Sequence, residues 1–252
     1  MSGHSKWSTI KRKKSVADAR RGQLFTRLGR EITIAAREGG GDPEANFKLR
    51  LAIDKARANN MPKENIERAI LRGIGALKGE ALEEQWYEGY APHGVALMIR
   101  ALTDNKNRTV SDLRRALTRA GGNLAETGAV SWQFQRKGYL SVPTDSVDPD
   151  KLFEIAVEAG ADDVVIGDDM IEIYTPLESF QAVRQALLEA GIGLTAAELT
   201  MVPTTRIELD PKDTLQVMSV IETLEELDDV QEVFSNLHIS DEVMAQYEAA
   251  AV

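Results

Sequence analysis

The spacing of apolar residues changes near Leu82, and this change restricts the chain to a mixed α and β fold. Beyond this point, residues 84–91 and 94–103 read as two strands on either side of Pro92-His93-Gly94, a hairpin signal. Before it, apolar residues recur at the intervals of three and four that are typical of an amphipathic helix, at Phe25, Leu28, Ile32 and Ala35.

Residues 1–79 are predicted to form a bundle of three helices. The first covers Ser15–Arg37 and ends at three glycines, which accept the left-handed conformation common after a helix. The second is predicted to start at Asp42-Pro43, because Asp caps exposed amides and Pro suits the first helical position. The third is predicted to start at Met61-Pro62.

The rest of the chain predicts two sheet-containing units. A helix at 107–120 and a strand at 129–135 follow the first hairpin. The next six elements have the order β-α-β-β-α-β of ferredoxin-like folds. They are predicted as strand 138–142, helix 149–159, strand 162–167, strand 170–174, helix 177–190 and strand 194–202.

A helix at 212–227 and a strand at 230–237 remain, and they cannot close a sheet by themselves. We expect them to return to the strands of 82–135, and the Ala-rich tail from Asp241 to fray. The predicted fold is therefore α+β and multi-domain: a three-helix bundle followed by two α/β sandwich units, one ferredoxin-like and inserted in the other. The predicted domains are 1–79, 82–135 plus 205–240, and 137–203.

Charge is distributed very unevenly along the chain. Residues 1–79 hold 18 Lys and Arg against 8 Asp and Glu, a net charge of +10, whereas the remaining residues have a net charge of −20. Clustered cations gain free energy by displacing counterions from phosphates. The N-terminal segment is therefore predicted to bind a polyanion, with the acidic remainder turned away from it.

The N-terminal arm and the bundle hold most of the candidate binding residues. In the arm, Trp7 could stack on an unpaired base, or it could instead dock on the bundle as a core residue. Helix 107–120 adds a basic stripe opposite its apolar side, which could also be no more than a solvated surface. The candidate nucleic-acid-binding residues are Lys6, Trp7, Lys11, Arg12, Lys13, Lys14, Arg20, Arg27, Arg30, Arg37, Lys48, Lys55, Arg108, Arg115 and Arg119.

Signals of other functions are weak. The chain has no cysteine, three widely separated histidines and no apolar run long enough to span a membrane, which indicates a reduced, cytoplasmic setting. The glycines of 191–196 match a dinucleotide fingerprint but follow a helix and precede a strand, the wrong order for that site. We expect no cofactor, no resident metal and no catalytic residue. A divalent cation bound by Asp162, Asp163, Asp168 and Asp169 is the alternative to be tested.

Several long motifs resemble the YebC/PmpR family over essentially the whole chain. They include GHSKW at residues 3–7, GGGDPEAN at 39–46, NNMP at 59–62, YEGY at 87–90 and TDNKNRT at 103–109. The resemblance implies a three-domain cytoplasmic protein, commonly described as a probable transcriptional regulator with DNA-binding members. Relatives of this family, including mitochondrial ones, are associated instead with translation on the ribosome.

We therefore predict a non-enzymatic regulator that binds nucleic acid, with DNA as the target and transcription as the process. The alternative is a translation factor bound to ribosomal RNA, since a flexible basic arm also suits irregular RNA. A metal-dependent enzyme that uses the acidic loops is a further alternative. A protein partner on the acidic ferredoxin-like unit is a third interpretation, and no membrane partner is expected.

Overall fold

The computed structural model describes Trp7, residues 18–78 and residues 82–249. These residues form an α+β protein with eight α-helices and two four-stranded antiparallel sheets. The helices are α1 Asp18–Gly39, α2 Phe47–Ala58, α3 Lys63–Gly73, α4 Lys106–Ala120, α5 Pro149–Glu158, α6 Phe180–Glu189, α7 Pro211–Glu225 and α8 Asp241–Ala249. The strands are β1 Glu83–Tyr90, β2 Ala96–Thr103, β3 Asn123–Ala125, β4 Phe134–Pro143, β5 Asp163–Ile166, β6 Met170–Thr175, β7 Ala196–Pro203 and β8 Val230–Ser235.

The chain divides into two compact units. The larger unit holds the described residues of Thr9–Ser131 and Leu209–Leu237. The smaller unit holds Trp132–Glu208 and the described residues of Met1–Ser8 and His238–Val252. Within the described ranges, every helix is too short or too polar to cross a lipid bilayer.

Helices α1, α2 and α3 pack together around an apolar core in the larger unit. Ile32, Leu49 and Ile66 are buried there, one from each helix, because each helix turns one apolar stripe inward. Gly73 lets α3 approach α1 closely: a Cβ at this position would lie 2.5 Å from the carbonyl oxygen of Thr33. The small bundle thus depends on both apolar periodicity and one close backbone contact.

The predicted start of the second helix at Asp42-Pro43 is wrong. Helix α2 begins at Phe47, and the side chain of Asn46 caps it by accepting a hydrogen bond from the Leu49 amide at 3.1 Å. Asp42 instead accepts the Glu44 amide at 2.9 Å, which closes a turn before the helix. Asp and Asn both cap amides well, so local sequence does not distinguish a turn at Asp42 from a helix start at Asn46.

The first sheet, in the larger unit, has the strand order β3-β1-β2-β8. Its central register aligns Trp86, Arg100 and Glu232 across β1, β2 and β8. Helices α4 and α7 pack against each other and against this sheet. Elsewhere in the unit, Ile34 of α1 packs with Leu102 of β2 in a small apolar cluster, so the bundle and the sheet share buried contacts.

The predicted strand at 129–135 is wrong for residues before Phe134. The amides of Gly128, Val130 and Ser131 donate hydrogen bonds to the buried carboxylate of Glu88, at 2.8, 2.6 and 2.9 Å. Burial alone would raise the pKa of Glu88, but these donors outweigh it, and the pKa is lowered. A buried carboxylate needs such donors, so these amides bind it instead of a neighbouring strand.

The second sheet, in the smaller unit, has the order β5-β6-β4-β7 and carries α5 and α6. Every neighbouring pair is antiparallel, and the chain order is β-α-β-β-α-β. The prediction of a frayed tail from Asp241 is wrong for residues 241–249, because they form α8. Val243 and Met244 are buried, which stabilises the helix by removing apolar surface from water.

We expect the larger unit to fold without the second sheet. Phe134 and Pro203 lie opposite each other in the β4–β7 ladder, so the chain enters and leaves that sheet at neighbouring points. Replacing residues 134–203 by a short glycine-serine linker should leave a cooperative thermal transition and dispersed amide resonances for the first sheet. A variant that loses both would show that the first sheet depends on the excised segment.

Candidate nucleic-acid interface

Helix α1 directs two of its predicted binding residues toward the acidic turn between α7 and β8. The guanidinium of Arg30 donates to a carboxylate oxygen of Asp229 at 3.0 Å and to the Asp228 carbonyl at 2.7 Å. Burial lowers the pKa of Arg27, and the nearby Asp228 and Glu226 offset this only in part. Both arginines therefore contribute to the interface between the bundle and the first sheet of the same unit.

Asp229 is the centre of this interface. Its side chain is buried, and it accepts hydrogen bonds from Arg108 at 2.9 Å and from Thr109 at 2.8 Å, both on α4. Burial raises the pKa of Asp229, but Arg108, Thr109 and Arg30 outweigh burial and lower it. The Asp229 carboxylate stays ionised and joins α1, α4 and the start of β8.

A second ionic cluster lies where the bundle meets the middle of the first sheet. Arg100 of β2 pairs with Glu232 at 3.1 Å and with Glu31 of α1 at 3.3 Å. Lys55 of α2 pairs with the same two carboxylates, at 3.2 and 3.4 Å. Burial opposes ionisation of Glu232, but the adjoining Lys55 and Arg100 outweigh it and lower its pKa to about 2.

Lys55, a candidate binding residue, is therefore held inside the larger unit. Helical periodicity places it away from the core of the bundle, but carboxylates of α1 and of the first sheet pair with it on that side of α2. Arg37 also donates to the carbonyl of Leu82, although its side chain remains exposed. Lys48 lies on the surface, where it pairs with Glu38 at 2.7 Å.

Of the two interpretations of Trp7, its burial favours the core residue over the exposed, stacking indole. Trp7 is 4% exposed, and its ring meets Tyr247 of α8 edge to face, with centroids 6.3 Å apart. An aromatic ring that packs in this way is held by burial and by the quadrupole interaction between the rings. Trp7 is thus a core residue of the smaller unit, and Tyr247 of α8 is one of its neighbours.

The remaining residues of the predicted arm lie outside the described residues. They are Lys6, Lys11, Arg12, Lys13 and Lys14. Of Arg20, the structure describes the backbone, in the first turn of α1. Their contribution to binding stays a prediction that rests on charge.

Helix α4 presents the clearest basic surface. Leu113 and Leu117 are buried on one side, and Arg114, Arg115 and Arg119 are exposed. Arg115 pairs with Asp112 at 2.8 Å, an exposed ion pair that is typically worth less than about 1 kcal/mol. The predicted stripe did not include Arg114, because this residue lies about 100° around the helix from Arg115 and so is not in line with Arg108, Arg115 and Arg119.

Arg108 differs from the other members of that stripe. Its guanidinium binds Asp229 and also Asp104, at 2.6 Å, and these hydrogen bonds raise its pKa. Its side chain is nevertheless 45% exposed. The head group is therefore held in a structural ion pair and is poorly placed to reach a phosphate.

The four acidic residues considered for a cation do not converge. Asp162 and Asp163 lie at the start of β5, whereas Asp168 and Asp169 follow its end. Asp162 pairs with Lys137 at 2.9 Å. Among the described residues, no group of three or more candidate ligands could hold a metal ion. The described residues of these loops therefore offer no converging set of ligands for a cation.

The chain matches two family models, a TACO1/YebC N-terminal domain over residues 5–76 and the TACO1/YebC second and third domains over residues 82–237. Proteins of Roseiflexus castenholzii and Chloroflexus aurantiacus are each 56% identical to it, over 98% and 99% of this chain and 99% and 100% of their own. Both are named probable transcriptional regulatory protein.

A solved structure is also similar. The crystal structure of a conserved hypothetical protein, Aq1575 from Aquifex aeolicus, matches with a TM-score of 0.82 at 47% identity. The match covers 90% of this chain and 94% of that one.

We expect the ionic cluster around Glu232 to make stability depend on pH. The pKa of Glu232 is about 2, below the usual 4.5. The stabilising effect of the ionised carboxylate is therefore complete above about pH 5 and is lost as the pH falls toward 2. Glu232→Gln should lower the free energy of unfolding at pH 7 by about 1–3 kcal/mol, because Lys55 and Arg100 lose a charged partner.

Urea titrations between pH 2 and 7 would measure this effect. The variant should show a flatter dependence on pH than the parent chain, whereas the exposed control Glu126→Gln should follow the parent. Parallel curves for the parent and the Glu232 variant would contradict the assignment of the low pKa.

Proposed function

Since the chain belongs to the TACO1/YebC family, we propose that it is a transcriptional regulator that binds DNA and acts without catalysis. The names of the bacterial relatives support a regulatory role. A cytoplasmic location is part of the same proposal, because these relatives are bacterial proteins and bacterial DNA lies in the cytoplasm.

The observation that carries this proposal is the exposed basic side of α4. Arg114, Arg115 and Arg119 are exposed on a helix whose Leu113 and Leu117 are buried. The packing of the core does not need these arginines. Guanidinium groups on a rigid helix can bind phosphate oxygens and release the counterions condensed on DNA.

The bundle and the arm extend this basic surface in our proposal. Of the predicted bundle residues, Arg37 and Lys48 remain exposed, whereas Arg27, Arg30 and Lys55 bind carboxylates or lie against them inside the unit. The arm adds the five cations of residues 6–14. Most phosphate contacts position a protein without reading sequence, so this surface supports affinity more than specificity.

Reversing the three α4 arginines to Glu should weaken DNA binding and reduce its dependence on salt. The slope of log K against log salt should flatten by about one unit for every phosphate that the variant no longer neutralises. A fluorescence titration of a labelled duplex between about 50 and 200 mM salt would measure both quantities. The matched control Lys151→Glu with Arg206→Glu and Lys212→Glu changes the net charge equally at exposed positions away from α4.

Equal affinity and slope in the α4 variant and the parent, with unchanged circular dichroism, would overturn the role of α4.

The nature of the nucleic acid needs a separate test in cells. Crosslinking followed by sequencing of both bound DNA and bound RNA should recover DNA above the level of a crosslinked α4 variant. Recovery of RNA alone would overturn the proposed action on transcription.

A further inference from the structure

The end of α3 carries an exposed apolar patch with a basic border. Leu71, Ile74 and Leu77 are 41, 49 and 41% exposed, which is high for large aliphatic side chains. Three exposed cations lie within the same short stretch of chain. We call the six residues the α3 patch: Arg68, Leu71, Arg72, Ile74, Leu77 and Lys78.

The patch is held in place by the end of the helix. The carbonyl of Leu71 accepts the amides of Ala76 and Leu77 at 2.9 and 3.2 Å, which folds the following turn back on α3. Gly75 takes the positive φ of 77° that this turn requires. Ile74 and Leu77 are thereby fixed beside Leu71.

The composition of the α3 patch distinguishes it from the basic side of α4. Phosphates need cations and gain nothing from exposed aliphatic side chains, whereas protein interfaces combine an apolar centre with a polar border. A fitting occupant would be acidic and would present apolar side chains of its own. Such a surface exists in the other unit of this chain.

Helix α5 presents an acidic and apolar stripe. Phe153 and Val157 are 47 and 46% exposed, and Asp150 and Glu154 are exposed as well. The four residues are spaced at i, i+3, i+4 and i+7, which places them along one side of the helix. We call them the α5 stripe. Leu152 and Ala156, on the other side, are buried in the core.

We propose that the α3 patch of one molecule binds the α5 stripe of a second copy of this chain. Phe153 and Val157 would cover Leu71 and Ile74, and the carboxylates of the stripe would face the cations of the patch. The stripe extends over about two turns of α5, and the patch combines the last part of α3 with the turn that folds back on it. Complementary charge fixes which surfaces meet, and burial of the apolar side chains supplies the free energy.

The contact is heterologous, because two different surfaces meet. Each pair of molecules would therefore leave one patch and one stripe available, so that association can continue beyond the dimer. Six residues on one molecule and four on the other make a small interface compared with stable protein complexes, so a weak association is expected. Added salt should weaken it further by screening the charges.

Sedimentation equilibrium of the full chain, cleared of nucleic acid, tests the proposal. At about 100 µM, where weak complexes with micromolar Kd are populated, the average mass should exceed that of the monomer and fall with salt. Arg68→Glu with Arg72→Glu should weaken association about tenfold or more, because like charges then meet. Phe153→Ser with Val157→Ser should do the same by removing the apolar side chains from the interface.

Two further samples make the result specific. The control Arg114→Glu with Arg119→Glu changes the net charge as much as the patch variant does and should associate like the parent. An equal mixture of the patch variant and the stripe variant retains one native contact, so it should form dimers and nothing larger.

A parent chain that stays monomeric at all concentrations would overturn the proposal. So would a mixture of the two variants that stays monomeric, or a patch variant that associates like the parent. Circular dichroism of each variant establishes that a loss of association is not a loss of fold.

Discussion

The placement of the helical bundle on the first sheet depends on the buried carboxylate of Asp229. A carboxylate that is removed from water must be surrounded by donors, because burying an unpaired charge costs several kcal/mol. Arg30 supplies one donor from α1, and Arg108 and Thr109 supply others from α4. The hydrogen bonds of the Asp229 carboxylate thus join α1, α4 and the start of β8, which are far apart in sequence.

This requirement changes what the basic N-terminal segment can do. A net charge of +10 over residues 1–79 suggests a binding surface, but part of that charge neutralises carboxylates inside the protein. The cluster of Lys55, Arg100, Glu31 and Glu232 shows the same use of charge at a second point. The cations that remain exposed, on α4 and on the outer sides of the bundle, are the ones that can meet a polyanion.

The same distinction separates the two proposed surfaces. On α4 the apolar side chains of Leu113 and Leu117 are buried and the arginines are exposed, so the exposed surface suits phosphates. On α3 the cations border exposed aliphatic side chains, so they suit an acidic protein surface. Charge by itself describes both surfaces equally well, and the neighbouring apolar groups decide between them.

The sequence by itself determined the type of most elements and the family to which the chain belongs. Local patterns identified the helix that became α4, and the hairpin signal at Pro92-His93-Gly94 identified the strands that became β1 and β2. The sequence pattern predicted the wrong structure where a residue distant in sequence binds the backbone. The Glu88 carboxylate binds the amides of Gly128, Val130 and Ser131, and Glu88 lies some forty positions earlier in the chain.

The tertiary structure alone decided which predicted binding residues face solvent. Trp7 has the same neighbours in sequence whether it stacks on a base or on Tyr247, and helical periodicity directs Lys55 away from its bundle in either case. The environment of each residue is set by an element distant in sequence, which is α8 for Trp7 and the first sheet for Lys55. Exposure depends on such long-range packing, which periodicity cannot report because it describes one element at a time.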